Sequence, residues 1–190
     1  MDGLRYRGYL PHFDGEHLIQ FVTWRLADSL PVGLVEEWAR ELDLQEDDPE
    51  RLMELQRRIE KYLDRGHGEG LLAQPRVGTL VQNALLHFDA TRYRLLAWVI
   101  MPNHVHIVIE TLPGHALAEI MHSWKSFTAN AINRTLGRQS PLWFREYFDR
   151  FVRSEQHLAF VVNYVHNNPV TAGLVARADQ WPFSSAAGTG

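Results

Sequence analysis

The 190-residue chain predicts an α+β fold: one antiparallel sheet in ferredoxin-like, split β-α-β order, with a helical insertion and a final helix. Three observations predict it. Strand-type and helix-type periodicities follow one another as strand, helices, strand, strand, helix, strand, helix. Two of the strands are separated only by Met101-Pro102-Asn103, so an antiparallel hairpin is the shortest connection. The length suits a single domain, 1–190, able to bury a core.

Arg5 to Gly15 reads as a loop, closing on the turn signal Asp14-Gly15. His17 to Leu26 is rich in β-branched and aromatic residues and forms the first expected strand. Between about 31 and 70 lies the insertion. Pro31 to Leu42 predicts a short helix, and Asp48-Pro49 supplies an N-cap and a first-position proline for a second. That second helix places Leu52, Leu55, Ile59, Tyr62 and Leu63 at helical spacing and ends at Gly66. Gly66-His-Gly-Glu-Gly70 follows a helix and lacks a Gly-Lys-Ser/Thr ending, so it reads as a flexible connector and not a phosphate loop. Val77 to Phe88 predicts a helix, Tyr93 to Ile100 a strand, and His104 to Thr111 its antiparallel partner. A long helix is expected from about His115 to Leu136, with Gly137 as its C-terminal cap. The second half of Trp143–Arg153 reads as a strand. Ser154 caps the last helix, which is expected to stop before Pro169.

Composition narrows the function classes. With 45% hydrophobic and 22% charged residues the chain falls among ordinary soluble globular proteins. It has no cysteine, which excludes disulfides, thiolate metal sites and cysteine nucleophiles and fits a reducing compartment. No apolar run approaches the roughly 18 residues needed to span a bilayer, and the sequence reads as cytoplasmic with no membrane partner. The net charge of −4 is unevenly spread: residues 1–75 hold 9 Lys/Arg against 16 Asp/Glu, and residues 76–190 hold 10 against 7. The later part therefore permits phosphate binding. Residues 36–69 alone carry 12 acidic and 6 basic side chains, a charged face that reads as solvated.

Chemistry concentrates in two places. On a strand, His104 and His106 project to the same side, so two imidazoles stand together as a metal-binding pair or as two packed histidines. The expected sheet order makes their strand central and puts them on the face away from the two crossover helices, or at its border. On the last helix, Tyr164 and Asn168 are four apart and share a face. They could serve as nucleophile and third ligand, or as a half-buried aromatic and a helix-end cap. His166 is a rival ligand, but two positions from Tyr164 on a helix it points elsewhere.

Several separated motifs carry a resemblance. Met101-Pro-Asn-His-Val-His106 is similar to the His-hydrophobic-His motif of single-tyrosine HUH transposases of the IS200 type. Tyr164-Val-His-Asn-Asn-Pro-Val-Thr-Ala-Gly-Leu-Val175, with Trp181-Pro-Phe-Ser-Ser185, resembles the REP-associated tyrosine transposases. Phe21-Val-Thr-Trp-Arg25, Ser123-Trp-Lys-Ser-Phe-Thr128 and Tyr147-Phe-Asp-Arg150 extend the likeness over most of residues 17–185. The resemblance implies an HUH endonuclease-type fold with a C-terminal catalytic helix, in which His104, His106 and Asn168 hold a divalent cation, Mg²⁺ or Mn²⁺. Tyr164 would attack phosphorus to give a 5′-phosphotyrosine and a 3′-hydroxyl. Imidazole ligation suits Mn²⁺ better than Mg²⁺. The implied partner is single-stranded DNA with a hairpin, such as a repeated palindromic element, bound by a monomer or homodimer. Candidate DNA contacts are Arg5, Arg7, Lys125, Arg150 and Arg153, with Tyr6 or Tyr9 free to stack on bases. Two other classes remain open: a non-cleaving, domesticated nucleic-acid-binding protein of the same fold, and a metal-dependent hydrolase in which water attacks.

Overall fold

Residues 18–44 and 48–188, with the backbone alone of 4–6 and 11–13, are described in a computed structural model of the chain. The opening stretch, expected to be a loop, contains two three-residue strands, β1 (Leu4–Tyr6) and β2 (Pro11–Phe13), paired antiparallel from Leu4↔Phe13 to Tyr6↔Pro11. Pairing gives these backbone groups partners that a loop would have to find in water.

The main sheet contains β3 (Ile19–Arg25), β4 (Tyr93–Ile100), β5 (His104–Thr111) and β6 (Phe148–Phe151) in the order β4-β5-β3-β6. Every neighbouring pair is antiparallel. This is the ferredoxin-like order, and β5 is interior. Because side chains alternate, Val105, Ile107 and Ile109 of β5 join Val22 and Trp24 in one core. That core is closed by α3 (Pro75–Leu86) and α4 (Leu117–Leu136). Trp124 of α4 stacks on Trp24 at 6.0 Å and donates its indole N–H to the Ala84 carbonyl at 3.1 Å. Gly137 ends α4 in the left-handed region at φ +64°, where its missing Cβ removes the strain.

The other sheet face holds Phe21, Val99 and Val108, covered by Val161 and Val165 of α5 (Glu155–Thr171). Ser154 caps α5 by accepting from the His157 N–H. The helix does not stop before Pro169; it carries that proline inside and continues to Thr171. Pro169 lacks an N–H, but its carbonyl accepts from Leu174 at 2.9 Å and the ring is buried, so packing outweighs the lost helical bond. Asn168 is consequently an interior helical residue one turn beyond Tyr164, and not an end cap.

The insertion is a pair of helices, α1 (Val32–Glu41) and α2 (Pro49–Leu63). Asp48 accepts from Arg51 N–H as the cap of α2, and Pro49 takes the first turn. Leu30, Ala39, Leu55, Ile59 and Leu63 form a small core of their own. Its carboxyl end is fastened to the β4–β5 hairpin, because Asn103 Nδ2 donates to the carbonyls of Leu63 at 3.0 Å and His67 at 2.9 Å. At the other margin the Trp181–Ser185 segment covers edge strand β4. Ile100 N–H donates to the Phe183 carbonyl at 2.8 Å, and Trp181 Nε1 to the Ile100 carbonyl at 2.9 Å. Among the described residues no helix is long and apolar enough to cross a membrane.

Candidate active site and metal centre

His104 and His106 lie on the α5 side of β5, both with no exposed surface. Asn103 fixes the first. With Nδ2 committed to two carbonyls, its Oδ1 faces His104 Nδ1 at 2.7 Å and can only accept, so the ring proton sits on Nδ1 and Nε2 is left with a lone pair. His106 Nδ1 is 2.7 Å from Thr23 Oγ1, a hydroxyl that can donate or accept and so serves either tautomer. The two Nε2 atoms stand 2.9 Å apart. A proton on His106 Nε2 can bridge them, or one cation can be bound by both. Burial holds both rings neutral, with His104 pushed down to about 3 and His106 well below its ordinary value. Neutral imidazole is the form that ligates a metal.

The opposite wall comes from the insertion. Gln56, Glu60 and Asp64 follow one another at four-residue spacing beside the buried Leu55, Ile59 and Leu63. The face expected to be solvated is therefore partly turned inward. Asp64 Oδ1 is 3.8 Å from His104 Nε2 and is buried without a hydrogen-bond partner. With His104 neutral this is not an ion pair; two electron-rich atoms point at the same place. Asp64, His104 and His106 present ligand atoms within 4.8 Å of one another. Burial pushes the Asp64 carboxyl up to about 6, and the nearby Asn168 amide opposes that rise. The amides and acids of this wall were missed because a polar stripe flanking an apolar one also describes any solvated amphipathic helix. The signal available was the 56-60-64 register adjoining 55-59-63.

Tyr164 and the histidines do meet. The phenol ring packs edge-on against His106 at 5.5 Å and against Phe21 at 5.8 Å. Its hydroxyl donates to Glu60 Oε2 at 3.3 Å, and Glu60 Oε1 accepts from Gln56 Nε2 at 3.1 Å. Burial first, then the Glu60 and Asp64 carboxylates, hold the Tyr164 pKa far above its ordinary value. Burial likewise raises Glu60, with the Asp64 charge adding to it. Asn168 is 1% exposed, and neither atom of its amide makes a hydrogen bond of good geometry, although it lies close enough to Asp64 and Tyr164 to favour their anions.

These orphaned acceptors test the metal reading. Two nitrogens bound side by side to one cation at about 2.1 Å would lie about 3 Å apart, which the Nε2 pair matches at 2.9 Å. Asp64 Oδ1 and Asn168 Oδ1 are buried oxygens that a hard divalent cation would satisfy. The donor set, two imidazoles with carboxylate and amide oxygen, fits the group.

The remaining expected residues divide. Arg150 on β6 lines the cleft in front of Tyr164, and its buried Nε has no hydrogen-bond partner. Arg153 is exposed at the start of α5, where its N–H donates to His157 Nδ1. Lys125 is occupied internally: Nζ donates to the carbonyls of Phe144 at 2.8 Å and Arg145 at 2.6 Å, and burial lowers its pKa to about 8. His166 points away from the pair, with Nε2 2.9 Å from Ser185 Oγ. Arg5 lies in β1, but its side chain and that of Tyr6, like Arg7 and Tyr9 as a whole, fall outside the described residues.

Comparison with known proteins supplies a family and a fold. A family model described as "Transposase IS200 like" matches residues 74–168, half of the chain. A Haemophilus influenzae protein whose name places it among the REP-associated tyrosine transposases is 28% identical over 104 residues, 49% of this chain and 58% of that protein. The matched stretch thus spans less than two thirds of that relative's length. Among solved structures, a REP-associated tyrosine transposase bound to a REP hairpin superposes with a TM-score of 0.60, covering 95% of this chain and 81% of that one. At 18% identity this is a likeness of fold.

Proposed function

The chain belongs to the IS200-like transposase family, and from that premise we propose that it cleaves and rejoins single-stranded DNA beside hairpins, with Tyr164 as nucleophile. One observation carries the reading: the Tyr164 ring rests on His106, in the same buried pocket as the paired Nε2 atoms. His104 and His106 would hold a divalent cation, with Asp64 Oδ1 or Asn168 Oδ1 as the next ligand. When bound, the cation polarises the scissile phosphate and offsets its charge.

The chain's own residues set up the attack. Tyr164 is a phenol at neutral pH, since its surroundings disfavour the anion, so its proton must leave as the oxygen attacks. Glu60 Oε2, already accepting that hydrogen bond, is the acceptor at hand. The Tyr164 oxygen bonds to phosphorus while the bond from phosphorus to the 3′ oxygen breaks. That oxygen departs with the bonding pair and takes a proton from solvent, leaving a 5′-phosphotyrosine and a 3′-hydroxyl. The diester is conserved in the covalent link, so a second 3′-hydroxyl can reverse the step without an energy source.

The test is to incubate the protein and Tyr164→Phe with 5′- and 3′-labelled hairpin DNA carrying single-stranded flanks, in Mn²⁺ or Mg²⁺. The expected result is a denaturation-resistant adduct bearing the 3′ portion of the DNA, absent from Tyr164→Phe. Cleavage that survives the substitution would instead assign the attack to water, and salt-sensitive binding with no cleavage in either metal would assign a binding protein.

A further inference from the structure

Beside Tyr164 a cleft of about 360 Å³ opens between α2 and α5, in the range of roughly 300–1,000 Å³ that holds small organic ligands. We propose that it is a nucleotide subsite: the base of the nucleotide that becomes joined to Tyr164 stacks on Phe160 against Met53, and Arg150 takes a phosphate of the same strand. The proposal rests on the reading of Tyr164 as nucleophile and adds to it a site for the base.

Three features carry it. Phe160 is 67% exposed, the most exposed large apolar side chain among the described residues, and Met53 is 51% exposed. Both lie on this one cleft. Phe160 precedes Tyr164 by four residues on α5, about 6 Å along the axis and on the same face. A base attached to the phosphate that Tyr164 attacks is within reach of that ring.

Charge then orients the strand. The α2 wall carries Glu50, Glu54 and Glu60 with one cation, Arg57, which is paired with Glu54 at 2.7 Å, so that wall stays net acidic, whereas Arg150 faces the cleft from β6. The Nε of Arg150 is buried without a hydrogen-bond partner. A phosphate is repelled by the first wall and drawn to the second, so the backbone runs past Arg150 and the uncharged base turns toward α2. A flat base can cover an aromatic ring and a thioether without bringing charge to the acids, and stacking of this kind tolerates any base.

The experiment maps the cleaved bond with wild-type protein, then compares DNA that has a normal or an abasic nucleotide immediately 3′ of it. Wild-type cleavage is expected to fall roughly ten-fold on the abasic strand. Phe160→Ala is expected to fall by a similar factor on normal DNA and to be indifferent to base removal. Because Phe160 is exposed, its loss leaves the core intact. A binding readout accompanies this: 2-aminopurine at the same position, held by Tyr164→Phe protein, should lose fluorescence on binding and keep it when Phe160→Ala is added. Adduct formation with equal sensitivity to base removal in wild type and Phe160→Ala, or a fluorescence change independent of Phe160, would overturn the subsite alone. Failure of wild type to form an adduct on any strand would overturn the tyrosine reading, and the subsite with it.

Discussion

Strand β5 and helix α2 build opposite walls of one pocket by different means. The β5 wall is neutral: His104 and His106 are fully buried, fixed by Asn103 and Thr23, and set by a register that pairs His106 with Thr23 and His104 with Arg25. The α2 wall is acidic. Glu60 and Asp64 sit on a surface helix, both with carboxyl pKa values raised by burial. The first wall lies inside the stretch matched by the family model, residues 74–168, and the second lies outside it. Neutral ligands can be buried at the centre of a sheet at little cost beyond hydrogen bonds, while carboxylates are costly to bury unless a cation or a proton compensates them. Placing these two acids on an insertion leaves β5 free of that cost.

The largest expected effects separate the two walls through the cation. His106→Ala should abolish both cleavage and Mn²⁺ binding, read by calorimetry or by the Mn²⁺ resonance signal, because among the described residues no other imidazole joins His104 and Asp64. Asp64→Asn should weaken Mn²⁺ binding by about 10- to 100-fold, the range seen when a supporting group at a metal site is removed. If Asp64→Ala, which removes the oxygen altogether, binds Mn²⁺ as tightly as wild type, the insertion contributes no ligand and Asn168 is the oxygen that completes the set.

Glu60→Gln sharpens the same comparison by removing an acid without changing shape. A glutamine oxygen can still accept from Gln56, and its amide nitrogen then faces the Tyr164 hydroxyl as a donor, so the phenol loses its proton acceptor. Cleavage should slow by about 100-fold, the lower end of general-base contributions, with Mn²⁺ affinity unchanged. Stability should move the other way. Glu60 keeps its proton to a higher pH folded than unfolded, so the folded protein loses stability as pH rises from about 4.3 through the raised folded value. The glutamine variant escapes that loss. Thermal unfolding in chelator should therefore show Glu60→Gln gaining on wild type at pH 8 and little at pH 4. Equal stability at both pH values would mean that the Glu60 carboxyl is not buried as described.

What the sequence revealed and what it hid follow the same division. The β4–β5 hairpin and the sheet order were legible from the order of elements, and the standing of His104 and His106 on one side of β5 was legible because period-two alternation fixes which side chains share a side. The Asp48-Pro49 start of α2 and the Ser154 start of α5 were legible from cap chemistry. The end of α5 was not, since local rules stop a helix at Pro169 and tertiary packing carries it on. The entry of Glu60 and Asp64 was hidden for a different reason. Periodicity says which residues lie on one stripe of α2, but that stripe docks against residues distant in sequence, among them Asn103, forty residues beyond Leu63, and Tyr164.

Asn103 is thus the residue where the two walls are joined, and it supplies the smallest and most selective prediction. Its side chain makes three hydrogen bonds, two donated to the insertion and one accepted from His104. In Asn103→Ala the carbonyls of Leu63 and His67 lose a buried donor, and His104 Nδ1 loses the acceptor that keeps its proton off Nε2. The Leu63 carbonyl keeps its bond from the Gly66 N–H at 2.9 Å and His67 is exposed, so the buried group left unsatisfied is His104 Nδ1, at a cost of about 1–3 kcal/mol, and the end of α2 is free to move outward to water. Such a shift would carry Asp64 away from His104, so Mn²⁺ affinity should fall about ten-fold. The β4–β5 register rests on backbone pairing and should survive. Hydrogen exchange is the measurement that distinguishes the walls: faster exchange confined to the C-terminal turns of α2, with β5 protected as in wild type, is expected. Equal loosening of α2 and β5 would show that the insertion is an integral part of the sheet's core and not a separate wall pinned to it by one side chain.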